Sequence, residues 1–480
     1  MDTLKKYSLL VMILSISISI LVSSSFFGFI VTLIIILLTF VNSKHGLYFL
    51  FFFFPIRPFL IEINSGLKYA GDFVILTLLF FALYSLRKKP LTHLNQYLLF
   101  IPFLLFLLIG SISAILSEVS FVAIIFELRA LLITFFLVFI FSTMTLSERD
   151  KHGLMWLSIL MGTFLALHGL IEKISHRTIL LPEAWINWEL SSVNIMRIYG
   201  LTGNPNVLGT FLLIVFFITL FAMNVYKKYT FVLLCLAGLL LGTTLLTYSR
   251  GSILAFTIAG LLFIVLSKDW NVFRNALLSI LIGSLLIYYP VNTLVTPKLT
   301  NVNNSEQTEK KPLKTGNELT KDDNGGFLQR FTQVFSEDII NKSSEWGRLF
   351  LVFKGLEIFT DHPVIGTGFA TYGDSATLAY GSPIYDQYDL PQESGMYTDN
   401  QYIQLLVQTG IIGSLFFVVF ILLLFQQFRR RKSEKIAHVM FALLLCSTIL
   451  ALFYNILEEK IFTLYFYSAV GLFMKENKEP

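Results

Sequence analysis

The sequence predicts an all-α polytopic membrane protein of 12–14 transmembrane helices, with one large extracytoplasmic loop before the last three. Three observations predict it. Hydrophobic residues make up 55% of the 480 and charged residues 14%, where a soluble domain carries about a quarter charged. Apolar stretches approaching the roughly 20 residues that a lipid core demands recur along the chain. These runs are continuous and do not alternate, which excludes an outer-membrane barrel.

Hydropathy marks spans at 8–22, 25–41, 46–61, 72–86, 97–116, 121–142, 153–171, 206–224, 229–247, 251–266, 275–292, 401–425, 436–456 and 460–474. That makes fourteen. The short first pair and the short last span admit merging or a shallow position, which gives the lower bound of 12. Lys5 and Lys6 precede the first run as in a signal peptide, but Ser23–Ser25 leads straight into another span, so the first helix is expected to stay uncleaved.

The net charge of +5 does not point to nucleic acid, because the basic residues sit in short loops between spans. With the N-terminus inside, the inner loops collect Lys44, Arg87–Lys89, Arg149, Lys151, Lys227, Lys228, Lys268, Arg274, Arg429–Lys432 and Lys435. The outer loops hold fewer: Arg57, Lys68, Lys173, Arg177, Arg197, Arg250 and Lys460. The positive-inside rule then puts both termini in the cytoplasm and the long polar interval outside. Cys235 and Cys446 fall inside apolar spans, where they are expected to be buried small hydrophobes with no metal or disulfide role.

Three parts follow: helices over 1–292, an extracytoplasmic loop over 293–400, and helices with a tail over 401–480. Within the first, the outer loop 172–205 carries Trp185, Trp188, Arg197 and Tyr199, a mixture suited to the membrane–water interface. Within the second, 299–326 has the composition of a flexible segment. Amphipathic helices are expected over 327–360. The first, 327–340, has Phe327, Leu328, Phe331, Val334 and Phe335 at helical spacing. The second, 344–360, places Trp346, Leu349, Phe350, Phe353 and Leu356 on one side and stops near Asp361-His362-Pro363. A glycine turn, Gly366-Thr367-Gly368, comes next.

Several polar residues stand where apolar helices begin. Arg250, in Thr247-Tyr248-Ser249-Arg250-Gly251, opens a span. The helix dipole there favours anions, so the residue either snorkels to headgroups or serves an anion such as a diphosphate. Arg348 follows Ser343-Ser344-Glu345-Trp346-Gly347 at another helix start, as a solvated charge, in a salt bridge to Glu345, or as an anion ligand. Asn204 suits an N-cap and Pro205 the first helical position, with Asn206 beside them. Asp399 directly precedes the span at Gln401, either as its N-cap or as a general base. Glu127 and Arg129 are two apart in span six and cannot share one face, so each should find its own partner. No nucleotide-binding loop, zinc spacing or nucleophile elbow occurs.

Taken in order, four motifs resemble the bacterial O-antigen ligase and Wzy-type polysaccharide polymerase superfamily. They are Thr202-Gly203-Asn204-Pro205-Asn206, Ser249-Arg250-Gly251, and Arg348 ahead of His362-Pro363-Val364-Ile365-Gly366-Thr367-Gly368. The fourth is Asp399-Asn400 followed by Gly410-Ile411-Ile412-Gly413. The chain looks similar in size to teichuronic acid and capsule assembly membrane proteins. The resemblance implies a GT-C-like, inverting glycosyltransferase of the bacterial cell membrane that needs no nucleotide sugar, cofactor or metal. Its donor would be an undecaprenyl-diphosphate-linked oligosaccharide at the outer face, and its acceptor a glycan or cell-wall hydroxyl.

By the same resemblance Arg250 and Arg348 hold the diphosphate, with Asp399 as the third catalytic residue. Asn204, Asn206, Ser249, His362, Gly366, Gly368 and Asn400 line the substrate. A flippase and a chain-length regulator are the implied protein partners. One departure stands out: the ligases carry a histidine before the asparagine where this chain has Asp399, so the base is Asp399, or His362 or another outer-loop carboxylate instead, or none where stabilising the leaving group suffices. The competing classes are a flippase or transporter for lipid-linked sugars, which needs ionisable residues along an interior path, and a cell-wall assembly scaffold, which leaves Arg250 unexplained.

Overall fold

The computed structural model describes residues 2–87, 95–190, 194–293, 347–392 and 396–475. Through the first described stretches the helices are α1 Asp2–Leu21, α2 Ser25–Val41, α3 Ser43–Ile63, α4 Ala70–Arg87, α5 Ile101–Leu116, α6 Phe121–Phe135 and α7 Leu137–Thr143. Then come α8 Glu148–Ile174, α9 Glu183–Ile186, α10 Pro205–Val225, α11 Thr230–Leu246, α12 Arg250–Ser267 and α13 Trp270–Ile282. The last group is α14 Arg348–Asp361, α15 Ser375–Tyr380, α16 Gln401–Arg430, α17 Lys435–Leu450 and α18 Lys460–Lys475. Among the described residues there is no strand. The chain is an all-α polytopic membrane protein.

Each of the fourteen hydropathic stretches is helical over all or most of its length. Among the described residues ten helices are long and apolar enough to cross a membrane, and two more, Ser25–Val41 and Lys435–Leu450, are apolar but shorter. The stretch at 436–456 stops being helical at Leu450, six residues early, because Asn455 and Glu458 carry polar groups that need partners outside a span. The segment 299–326 and the helix expected over 327–340 lie outside the described residues.

The chain divides into two compact units. One comprises residues 1–74, 146–253 and 269–333, the other 75–145, 254–268 and 334–480. In the first, α10 packs on α11 and α8, and α11 on α13. Small residues permit that last contact: a Cβ on Gly242 would stand 2.6 Å from the Gly283 carbonyl oxygen, and one on Gly283 2.6 Å from that of Gly238. The chain widens locally to a π-helix over Gly283–Tyr288 at the same contact.

In the second unit α16 packs on α5 and α18 on α7. Phe100, Phe103, Phe135 and Phe420 interlock there, Phe103 and Phe135 with ring centroids 4.6 Å apart. Two sequence expectations change. Phe353 and Leu356 of α14 are exposed, while Gly355 and Ile358 form its buried side, because the cluster around Tyr372 and Ile403 draws that face inward. Cys446 is buried as expected, but Cys235 is exposed on α11, where a lipid-facing position satisfies a small apolar side chain.

Candidate functional site

The second unit is built around a break in a helix. Gly410 has φ +58 and ψ −163, far from helical values, inside α16. The break releases backbone groups from the helical ladder, and the loop after α14 occupies them. Thr367 N–H donates to Val407 O at 2.9 Å and Gly368 N–H to Gln408 O at 2.8 Å. In return Ile411 N–H donates to Pro363 O at 2.8 Å and Ile412 N–H to Val364 O at 3.1 Å. At membrane depth such groups must be satisfied by protein, and this exchange does so. It explains the glycine turn: Gly366 and Gly368 have φ +72 and +98, and a Cβ on Gly368 would stand 2.0 Å from Ala114 N. Both glycines are buried. His362 is exposed as the C-cap of α14.

Beside this break, the residue that caps α16 is Asn400 and not Asp399. The Asn400 side chain accepts from Tyr402 N–H at 3.1 Å and Ile403 N–H at 3.2 Å. Asp399 stands one residue outside the helix at φ +49, too far back to reach those amides. Its carboxylate instead meets Arg348, whose Nη2 and Nε lie 2.8 Å and 3.2 Å from Oδ2. The helix carrying Arg348 begins after Gly347 with no side-chain cap, and Glu345 lies outside the described residues. The pair is accessible: the Arg348 side chain is 51% exposed and that of Asp399 32%. A guanidinium and a carboxylate in contact at a helix start can bind an anion with one member and accept a proton with the other.

Behind the pair lies a buried polar network that the sequence reading missed. Asn455, in the turn after α17, accepts from Asn400 N–H at 3.2 Å and donates to Gly373 O at 2.8 Å. Gly373 O also accepts from Thr398 N–H at 3.0 Å. Asn455 thus ties the residue after Asp399 to the same carbonyl that holds the residue before it. Deeper, Gln404 donates to Glu458 at 2.6 Å, and Ser375 N–H donates to the other Glu458 oxygen at 2.8 Å. Gln408 donates to Asp374, whose carboxylate also accepts from Ala370 N–H and Thr377 N–H, each at 2.7 Å.

Burial, with Asp374 nearby, pushes the Glu458 carboxyl up to about 7, and burial raises that of Asp374. Glu127 of α6 is fully buried within electrostatic reach of both. Arg129 turns elsewhere, over the Phe126 ring at 4.8 Å, so the two charges part as their spacing requires. The available signal was Gln401, Gln404 and Gln408, a polar stripe at helical spacing in an otherwise apolar span.

The first unit holds the remaining residues. Asn204 caps α10, accepting from Asn206 N–H at 2.8 Å and Val207 N–H at 3.3 Å, with Pro205 at the first helical position. Arg197 joins this helix start to the turn before α12: its Nη2 donates to Asn206 Oδ1 at 2.5 Å and its Nε to Thr247 O at 2.9 Å. Ser249 is buried and donates to Ser252 Oγ at 2.8 Å. Arg250 is the first residue of α12, after Tyr248 at φ +51. The structure therefore joins Arg348 to Asp399 in one unit, and Asn206 to the Thr247–Arg250 turn through Arg197 in the other.

Comparison with known families adds one finding. Residues 231–418 match the family model described as O-antigen ligase. The match takes in Ser249, Arg250, Arg348, His362, Gly366, Gly368, Asp399 and Asn400, and begins after Asn204 and Asn206. No curated protein matches the chain.

Proposed function

With residues 231–418 carrying the domain of the O-antigen ligase superfamily, a membrane-embedded glycan ligase or polymerase, we propose a specific reaction for this chain. It transfers glycan from an undecaprenyl-diphosphate carrier to a glycan or cell-wall hydroxyl at the outer face of the bacterial cell membrane, with inversion and without metal. The distribution of Lys and Arg supports the orientation, with both termini cytoplasmic. The observation that carries the chemistry is the accessible Arg348–Asp399 pair inside the matched region.

The acceptor oxygen attacks the anomeric carbon opposite the carrier. Its bond to that carbon forms as the carbon–oxygen bond to the diphosphate breaks, and the electron pair leaves on the diphosphate. Arg348 and Arg250 are the cations for that departing charge, which cationic donors in a low-dielectric site stabilise strongly. Asp399 takes the hydroxyl proton. Asn204, Asn206, Ser249, Asn400 and His362 fall to substrate contact, and the Gly366–Gly368 turn to shaping the cleft beside Asp399. A flippase supplying the lipid-linked unit and a chain-length regulator are the expected partners.

Deleting the gene and profiling surface polysaccharide tests the reading. Accumulation of short lipid-linked units identifies a polymerase, and polymer retained on the lipid carrier identifies a ligase. An unchanged profile would sink the proposal.

A further inference from the structure

The starts of α1, α3 and α8 and the end of α10, all in the first unit, wall a cavity of about 820 Å³ that none of the roles above uses. Lys44, His45 and Tyr48 of α3 line one side and Arg149, Asp150 and Trp156 of α8 another, with Leu9 and Tyr226 beside them. One cation is already matched. Lys44 Nζ donates to Asp150 Oδ2 at 2.5 Å, and the same oxygen accepts from Ser147 N–H at 2.8 Å and Ser147 Oγ at 2.7 Å as part of the α8 cap. Arg149 is exposed and has no ion pair among the described residues, which leaves the lining one permanent positive charge in excess.

The histidine adds a donor. Leu9 N–H, which can only donate, reaches His45 Nδ1 at 3.3 Å, and Ser8 Oγ lies 2.6 Å from the same nitrogen. The ring proton therefore sits on Nε2, which no acceptor takes among the described residues. Gly153 leaves room for Tyr48: a Cβ there would stand 2.1 Å from the tyrosine oxygen, which donates to Asp150 O at 3.0 Å. Both α3 and α8 begin at the cavity, so Lys44 and Arg149 stand in first turns, where the macrodipole opposes a cation unless an anion joins it. Trp156 packs on Tyr226 and Tyr229, with ring centroids 5.3 Å and 6.5 Å apart. Trp156 and Tyr229 are exposed, as aromatic residues are at a membrane–water interface.

We infer that this cavity binds the phosphate of an anionic phospholipid, with Arg149 and His45 as donors and Trp156 and Tyr226 beside the glycerol. The single excess charge suits a phosphodiester, which carries one negative charge. The volume far exceeds a phosphate group and leaves room for a glycerol headgroup. Basic pockets between membrane helices suit such headgroups, and further basic residues nearby draw anionic lipid to them. Lys5 and Lys227 are the neighbours here, Lys5 through the bond from Asn42 Nδ2 to its carbonyl and Lys227 as the residue after Tyr226. In the orientation proposed above this end meets the cytoplasmic leaflet. A soluble phosphate offers the same anion without a glycerol to fill the space or a chain to lie beside the aromatic residues. The inference does not depend on the transferase reading.

The test uses the full chain in phosphatidylcholine nanodiscs with increasing phosphatidylglycerol, and it requires no turnover. The readouts are the melting temperature and the phosphatidylglycerol retained per chain after transfer to detergent. The melting temperature is expected to rise and saturate, because a ligand that binds the folded state stabilises it, with a single lipid retained. Arg149→Gln should raise the phosphatidylglycerol fraction needed for half the rise about fivefold, and Arg149→Lys should restore most of the parent's response. Arg430→Gln, an exposed position at the end of α16 in the other unit, controls for diffuse attraction and should respond as the parent does.

A melting temperature that ignores phosphatidylglycerol, or that rises without saturating, overturns the inference, and it does so on the unsubstituted protein should Arg149→Gln fold poorly. An Arg149→Gln response equal to the parent's overturns it too, as does an Arg430→Gln response as weak as that of Arg149→Gln. Inorganic phosphate or glycerol 3-phosphate that reproduces the whole rise in phosphatidylcholine alone assigns the cavity to a soluble anion and overturns the lipid.

Discussion

Two turns, one in each unit, share a local design and use it with opposite charge. Tyr248 and Asp399 both stand two residues before the first residue of a long helix, at φ +51 and +49, in the left-handed region that non-glycine residues avoid. In the first turn the charged group is Arg250, inside the helix at its positive end, where an anion improves the electrostatics. In the second the charged group is Asp399, outside the helix and already matched by Arg348. The polar caps do the structural work: Asn400 closes the amides of α16, so Asp399 is not needed for it. A helix start can thus hold a reactive side chain without spending it on the helix, provided the next residue is the cap.

The largest expected effect tests the charge in each turn. Arg250→Ala and Arg348→Ala should each lower glycan transfer by a factor on the order of 100 or more, measured as polymer made at matched protein level. Wild-type polymer from either variant would remove that arginine from the reaction.

Next comes the break that positions the second turn. Gly368→Ala would put a Cβ 2.0 Å from Ala114 N of α5, so the loop must move off α5 and pull on its hydrogen bonds to α16. The expected loss is about 3 kcal/mol or more, visible as a lower melting temperature or failure to accumulate in the membrane.

The cap and the carboxylate should separate cleanly. Asn400→Ala is expected to cost about 1 kcal/mol of stability, whereas Asp399→Asn should leave the melting temperature near that of the parent and abolish transfer, with Asp399→Glu retaining part. Equal activity of Asp399→Asn and the parent would leave the carboxylate only its contact with Arg348.

The buried network gives a pH test of the second unit alone. Because the folded protein holds the Glu458 proton up to about pH 7, whereas an unfolded chain releases it near 4.5, the folded state binds more protons in that window. The Glu458 contribution to stability is fully present below pH 4.5 and is lost as pH rises through about 7. Thermal melts from pH 5 to 8 should show that slope in the parent and a flatter one in Glu458→Gln. The smallest effect is local: Tyr248→Gly should relieve about 1 kcal/mol of left-handed strain, offset by the lost hydrogen bond from Tyr248 to Asn292.

Much of this was legible in the chain. Apolar runs marked each of the ten membrane-length helices among the described residues, because lipid enforces length and composition locally. Asn204 and Pro205 announced a helix start, since a cap works through its own next three residues. The misplaced features depended on distant partners. Asp399 looked like a cap until Arg348, 51 residues earlier, claimed its carboxylate. Ala451–Ile456 passed for membrane helix because the groups that hold Asn455, Gly373 O and Asn400 N–H, come from two other segments. Gly410 lies in an apolar run and carries no local mark of the break, which exists only because residues 363–368 fill it.

That filled break has a consequence for protein engineering. The stretch 363–368 shares its hydrogen bonds with α16 as an inserted piece of the same secondary structure. Chimeras between related chains should therefore move 363–412 as one cassette. A crossover between the loop and α16 would pair one parent's backbone with the other's register and leave amides unsatisfied where no water can reach them.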